Sequence, residues 1–70
     1  MDEFEKRMSA LARTVFGKDV DLDVRRKDEP RWDSLCHLKL VIAFESEFNV
    51  RIPVSRIEAI QSLRGFSEFL

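Results

Sequence analysis

Across 70 residues the chain holds a single cysteine, two glycines, two prolines and no tyrosine. One cysteine excludes an internal disulfide framework and suits a reducing compartment. Charge of neither sign dominates: 12 basic residues face 13 acidic ones, interspersed along the chain. That pattern leaves no footprint for nucleic acid and no polybasic patch for a membrane surface. No apolar run approaches the length of a transmembrane span, and Met1 is followed by acidic residues rather than by a basic leader and apolar core. The expectation is a cytosolic, monomeric protein, complete from its start, whose partners are proteins or small molecules. Length permits one small domain, residues 1–70, with a single core. A domain of this size buries only about 60% of its unfolded surface, so a substrate-enclosing pocket would come out of an already thin core.

What is there is helical periodicity. Phe4, Met8, Leu11, Ala12 and Val15 recur at helical spacing over residues 2–16, with Asp2, Glu3 and Glu5 in the first turn, where the helix dipole favours negative charge. Gly17 is a natural stop. From Lys18 to Arg31 the chain turns polar around Val20, Leu22 and Val24, which predicts a long loop tacked down by three aliphatic side chains. Such a loop is uncommon in so small a domain and is usually functional or disordered. A second helix is predicted from about Ser34 to Asn49, and Pro53 can open a short third one around Val54, Ile57 and Ile60. Ser62 can cap a last helix carrying Leu63, Phe66, Phe69 and Leu70, weakened at Gly65 by about 1 kcal/mol relative to alanine. No segment alternates long enough for a sheet. The expected fold class is therefore all-α: a four-helix bundle with three longer helices, one short one, and the long loop between the first two.

The second helix has two apolar faces. At roughly 100° per residue, Leu40, Val41, Phe44 and Phe48 fall within an arc of about 100°, an ordinary core stripe. Leu35, Leu38 and Ile42 lie on nearly the opposite side. They either contact the loop or a neighbouring helix, or they form a protein-docking face that begins beside Ser34.

Asp33 and Ser34 stand at the mouth of that helix, followed by Cys36 and His37. An Asp or Ser just before an apolar periodic run is the usual N-cap signature, and Asp33 can serve alone. Ser34 would then sit on the first turn among free backbone N–H groups, where a phosphate ester is electrostatically favoured, although Asp33 opposes it. A hydrolytic triad of Asp33, Ser34 and His37 fails on geometry. All three hang from one rigid helix start and cannot form a base and orienter chain with a separate oxyanion hole. No enzyme is expected. Cys36 and His37 supply at most two adjacent metal ligands, short of a structural zinc site, so no metal is expected. His37 falls inside the core arc and reads as a structural histidine, Cys36 as a small helix-face thiol, and Trp32 as an anchor for the loop.

The stretch WDSLCHLKLVIAFESEFNVRIP, with the polar loop before it and SRIEAIQSLRGFSEFL after it, resembles the acyl carrier protein family, including small stand-alone carriers with a W-D-S-L motif. The resemblance covers nearly the whole chain. It implies that Ser34 receives 4'-phosphopantetheine from coenzyme A through a magnesium-dependent phosphopantetheinyl transferase that recognises Asp33 and Leu35. Acyl or aminoacyl groups would then ride as thioesters on the arm, supplied by an activating ligase and passed to a downstream transferase or synthase of a biosynthetic pathway. The helix opening at Ser34 becomes the recognition helix, with Leu35, Leu38, Lys39, Ile42 and Glu45 as candidate partner contacts. Where carriers of fatty-acid synthesis usually show an acidic recognition helix, here Lys39 interrupts it and only Glu45 and Glu47 remain, so electrostatic docking to basic surfaces should be weaker. Arg25, Arg26, Lys27 and Arg31 make the preceding loop basic, either as a solvated loop or as a preference for an acidic partner surface. The alternative reading is an unmodified, carrier-like interaction adaptor working through the Leu35, Leu38 and Ile42 face.

Overall fold

The computed structural model describes residues 2–70. Helix α1 spans Glu3–Phe16, α2 spans Ser34–Phe48, and α3 is a single turn, Val54–Ile57. Two 3-10 helices complete the chain, Arg26–Asp28 inside the long loop and Arg64–Phe69 at the end. Among the described residues no strand forms; an isolated antiparallel bridge joins Arg25 to Ser62. The all-helical class and the long loop stand as expected, and the partition among helices differs.

Helix α1 starts at a reciprocal capping box. The Asp2 carboxylate accepts the Glu5 N–H at 2.8 Å, and the Glu5 carboxylate accepts the Asp2 N–H at 3.2 Å, satisfying two otherwise orphaned donors. Gly17 ends it in the left-handed region at φ 75°, its N–H reaching the Arg13 carbonyl. A glycine there avoids the Cβ clash that the left-handed conformation imposes on other residues. Met8, Leu11, Ala12 and Phe16 form its buried stripe. Helix α2 ends on a second left-handed cap, Asn49 at φ 55°.

The last helix predicted from Ser62 is instead the 3-10 helix Arg64–Phe69. Ser62 does act at its start, accepting the Gly65 N–H at 3.1 Å, but the bonds that follow close three residues apart, Phe66 to Leu63 and Leu70 to Ser67. One cause is visible. Leu63, Phe66 and Phe69 recur every three residues, the spacing that stacks side chains on one stripe of a 3-10 helix. The Arg64 N–H, a first-turn donor with no partner inside the helix, bonds the Leu22 carbonyl at 2.9 Å and ties this segment to the long loop.

One core joins these pieces. Phe44 and Phe66 are fully buried with ring centroids 4.9 Å apart, and Leu40, Met8 and Leu63 are sealed beside them. Leu22 is the buried tack of the long loop, and Trp32 lies edge-on to Phe16 at 5.8 Å, which holds the loop's end against α1. An edge-to-face pair adds about 0.5–1.5 kcal/mol beyond the area it buries. Arg64 ties three parts of the chain at once, bonding Asp23 of the loop at 2.6 Å and Glu5 of α1 at 3.0 Å.

Candidate functional site

The start of α2 is built by Asp33. Its backbone is extended, its Oδ1 accepts the Cys36 N–H at 2.8 Å, and its carbonyl accepts the His37 N–H at 2.9 Å. Capping is thus done by the aspartate, which leaves the Ser34 hydroxyl exposed on the first turn. Among the described residues no acceptor bonds the N–H groups of Ser34 and Leu35, so they face outward beside that hydroxyl at the positive end of the helix.

His37 is 1% exposed and fully employed. The Trp32 indole N–H donates to its Nδ1 at 2.9 Å, and its Nε2–H donates to the Ile57 carbonyl at 2.8 Å. The carbonyl can only accept and the indole can only donate, so the ring carries its proton on Nε2. One imidazole therefore ties the loop, α2 and α3 together directly behind Ser34. Neither nitrogen is free to act on the serine. Burial, and next the nearby Asp33 charge, push the Cys36 thiol above its ordinary pKa, which disfavours the thiolate needed for nucleophilic or redox chemistry. Cys36 is a buried packing residue. Among the described residues, no cluster of three or more His, Cys, Asp or Glu is placed to hold a metal ion.

Leu35, Leu38 and Ile42 are 62%, 50% and 66% exposed. Of the two uses open to that second apolar face, contact with the loop or a neighbouring helix is not the one adopted. Lys39 is exposed alongside them, while Glu45 is half-buried and its Oε2 accepts the Ile52 N–H at 2.8 Å. Glu47 points to the other side of the helix, where the Arg7 guanidinium bonds both its carboxylate, at 2.9 Å, and its carbonyl oxygen. Arg7 also sits over the Phe48 ring.

Two concave regions flank α2. An open groove of about 580 Å³ runs along the α1–α2 seam between Ala10, Thr14 and Val15 on one side and Ala43 and Ser46 on the other; Ser34 does not line it. A smaller cleft of about 190 Å³ lies at the start of α2. Val15, Phe16, Leu35 and Cys36 line it together with the charged side chains of Arg31, Asp33 and Lys39. Arg31 is held there by a hydrogen bond from one guanidinium nitrogen to the Phe16 carbonyl, at 3.1 Å.

In the sequence Arg31 groups with the loop cations, and nothing there pairs it with Lys39. The bond that swings it back to the end of α1 crosses 15 positions and has no local signal. Of the other loop cations, Arg26 is ion-paired to Glu58 at 3.1 Å, whereas Arg25 pairs with Ser62 through its backbone and is exposed. No protein-family model matches this chain, and no solved structure matches it.

Proposed function

We propose that the protein is a carrier: a domain with no chemistry of its own that bears a 4'-phosphopantetheine arm on Ser34 and presents a thioester-bound acyl or aminoacyl group to partner enzymes in the cytoplasm. The observation that carries this reading is the division of labour at the start of α2. Asp33 takes over capping, and Ser34 is left as an exposed hydroxyl at a helix N-terminus, at one end of an exposed apolar strip. The W-D-S-L motif and the order of elements, with the long loop before α2 and the Ile-Pro turn after it, point the same way.

The residues present fit the group. The exposed hydroxyl of Ser34 is the attachment atom, and on loading by a phosphopantetheinyl transferase it loses its proton and becomes the phosphodiester oxygen, as coenzyme A releases adenosine 3',5'-bisphosphate. The N–H groups of Ser34 and Leu35 can bond the phosphate, and the helix dipole offsets its charge. Asp33 stays engaged with the Cys36 N–H and keeps its charge, so those donors hold the phosphate against its repulsion. The group supplies a terminal thiol on a flexible tether; the chain supplies the anchoring oxygen, the fixed helix start and the docking face. His37, by pinning the loop, α2 and α3 to one another, keeps that start in place.

The test is intact mass after incubation with coenzyme A, magnesium and a broad-specificity transferase. Wild type should gain one phosphopantetheine and Ser34→Ala none. A folded wild type that gains nothing, or a Ser34→Ala protein that is still modified, overturns the reading. The exposed strip by itself also favours a second reading, an unmodified adaptor. In that case partner binding is indifferent to Ser34→Ala and lost with Leu38→Asp.

A further inference from the structure

The hydrogen bond between Trp32 and His37 can run in only one direction. An indole nitrogen donates and never accepts, and the Nδ1 that receives it does so only while it carries no proton. The other ring nitrogen is committed the opposite way, since its N–H donates to the Ile57 carbonyl. A second proton on the ring therefore has one place to go, Nδ1, where it sets two donors against each other 2.9 Å apart. The bond to Ile57 survives that event, because Nε2 keeps its hydrogen. With the ring 1% exposed, the new N–H cannot turn to water unless a neighbour moves. The groups packed on the ring from the loop, the last 3-10 helix and α3 are Trp32, Phe66 and Ile57, all neutral. Carboxylates on the surrounding elements bond other groups: Asp33 the Cys36 N–H, Glu29 Lys18, Glu58 Arg26, and Glu68 Arg56. None of them accepts from the ring.

We propose that His37 is a proton switch for the long loop: protonation at Nδ1 releases Trp32, and with it the end of the loop, while α3 stays docked on α2. Trp32 directly precedes Asp33 and Ser34, so the released segment is the one that leads into the start of α2. The switch stands on the hydrogen-bond geometry and does not depend on the carrier reading. Imidazoles ordinarily change charge between about pH 5 and pH 8, and this chain has one histidine. Other groups of the loop and of the start of α2 keep their state across that range. The Lys18 hydrogen bond holds the Glu29 carboxyl below its ordinary value, Arg64 does the same for Asp23, and burial pushes the Cys36 thiol up. Acid therefore acts first on the one bond that needs a neutral imidazole, before the ion pairs of the loop are lost.

The experiment follows the full-length, unmodified protein by nuclear magnetic resonance as it is acidified from about pH 7.5 to about pH 5, the range in which an imidazole titrates. One tryptophan and one histidine give one indole N–H and one imidazole signal. Both should move with a single midpoint, and solvent exchange of the indole N–H should become about five- to tenfold faster, the equivalent of one hydrogen bond. Amide exchange should rise in the loop up to Trp32, while α1, α2 and the residues after Ile57 keep their protection. Trp32→Phe should show the fast loop exchange at every pH and no response to acid. His37→Asn, whose amide oxygen can accept in place of Nδ1 but does not titrate, should hold the indole signal constant. Ser34→Ala should switch like wild type, so failure of loading in the mass experiment leaves this result intact, and the converse also holds. An indole signal that stays fixed while the imidazole titrates would overturn the proposal. So would an imidazole that titrates only as the whole domain unfolds, or an acid response of the loop that persists in Trp32→Phe.

Discussion

Single side chains do most of the joining in this molecule. His37 has two partners from two different segments, and one of them, Trp32, also packs edge-on against Phe16. Replacing Trp32 with phenylalanine keeps a ring but strands the buried Nδ1 acceptor, so unfolding free energy should fall by about 1–3 kcal/mol in a denaturant titration. Glu29 is buried at the loop's edge, and the Lys18 hydrogen bond, with Arg31 helping, holds its carboxyl below the ordinary value of 4.5. Asp23 is likewise held below 3.8 by Arg64. In both cases the folded state prefers the ionised form, so the contribution is fully present above the unfolded pKa and is lost as pH falls through the lower folded value. Stability followed by circular dichroism should drop as the solution is acidified below about pH 4.5, and Glu29→Gln should flatten that part of the curve. The two acids were visible in the sequence only as members of a polar loop, since each partner is fixed by folding.

At the scale of elements, the ends of α1 and α2 were legible because their signals are local. Asp2 with Glu5, Gly17, Asp33 and Asn49 all act within four residues of themselves. Gly17 has no atom within 4 Å of where a Cβ would stand, so Gly17→Ala should cost only the left-handed backbone penalty, about 1 kcal/mol by thermal melting. The same local logic overreached at the C-terminus. There the helix-like pattern of Leu63, Phe66 and Phe69, spaced every three residues, closed as a 3-10 helix instead. For α2, periodicity revealed two apolar stripes without ranking them, and packing chose the one bearing Phe44. Leu38→Asp should therefore leave the unfolding midpoint within about 0.5 kcal/mol of wild type, the expectation for an exposed position, while abolishing partner capture.

The whole molecule depends on long-range ties that compensate for its small core. Arg64 bonds Glu5 and Asp23, which are 59 and 41 positions away, and so holds the chain's end to its beginning and to the middle of the loop. Its exposure limits the energy of each pair. The structural consequence should be larger than the energetic one: in Arg64→Met, amide hydrogen exchange should rise in the loop from Val20 to Arg26 and in the C-terminal 3-10 helix, while α1 and α2 keep their protection. A uniform rise across all elements would mean that the loop unfolds only with the rest of the domain.

By itself the sequence determined the helical class, the breaks at Gly17 and Asn49, the cap at Asp33 and the position of Ser34 on the first turn of α2, because each follows from spacing or from a residue's own conformational preference. Folding decided which face of α2 stays in water, which carboxylates are consumed by Arg7 and the Ile52 amide, and that Arg31 joins Lys39 beside Leu35. Those outcomes depend on groups brought together across as many as 40 positions, and a side chain's availability to a partner is what remains after such contacts are made.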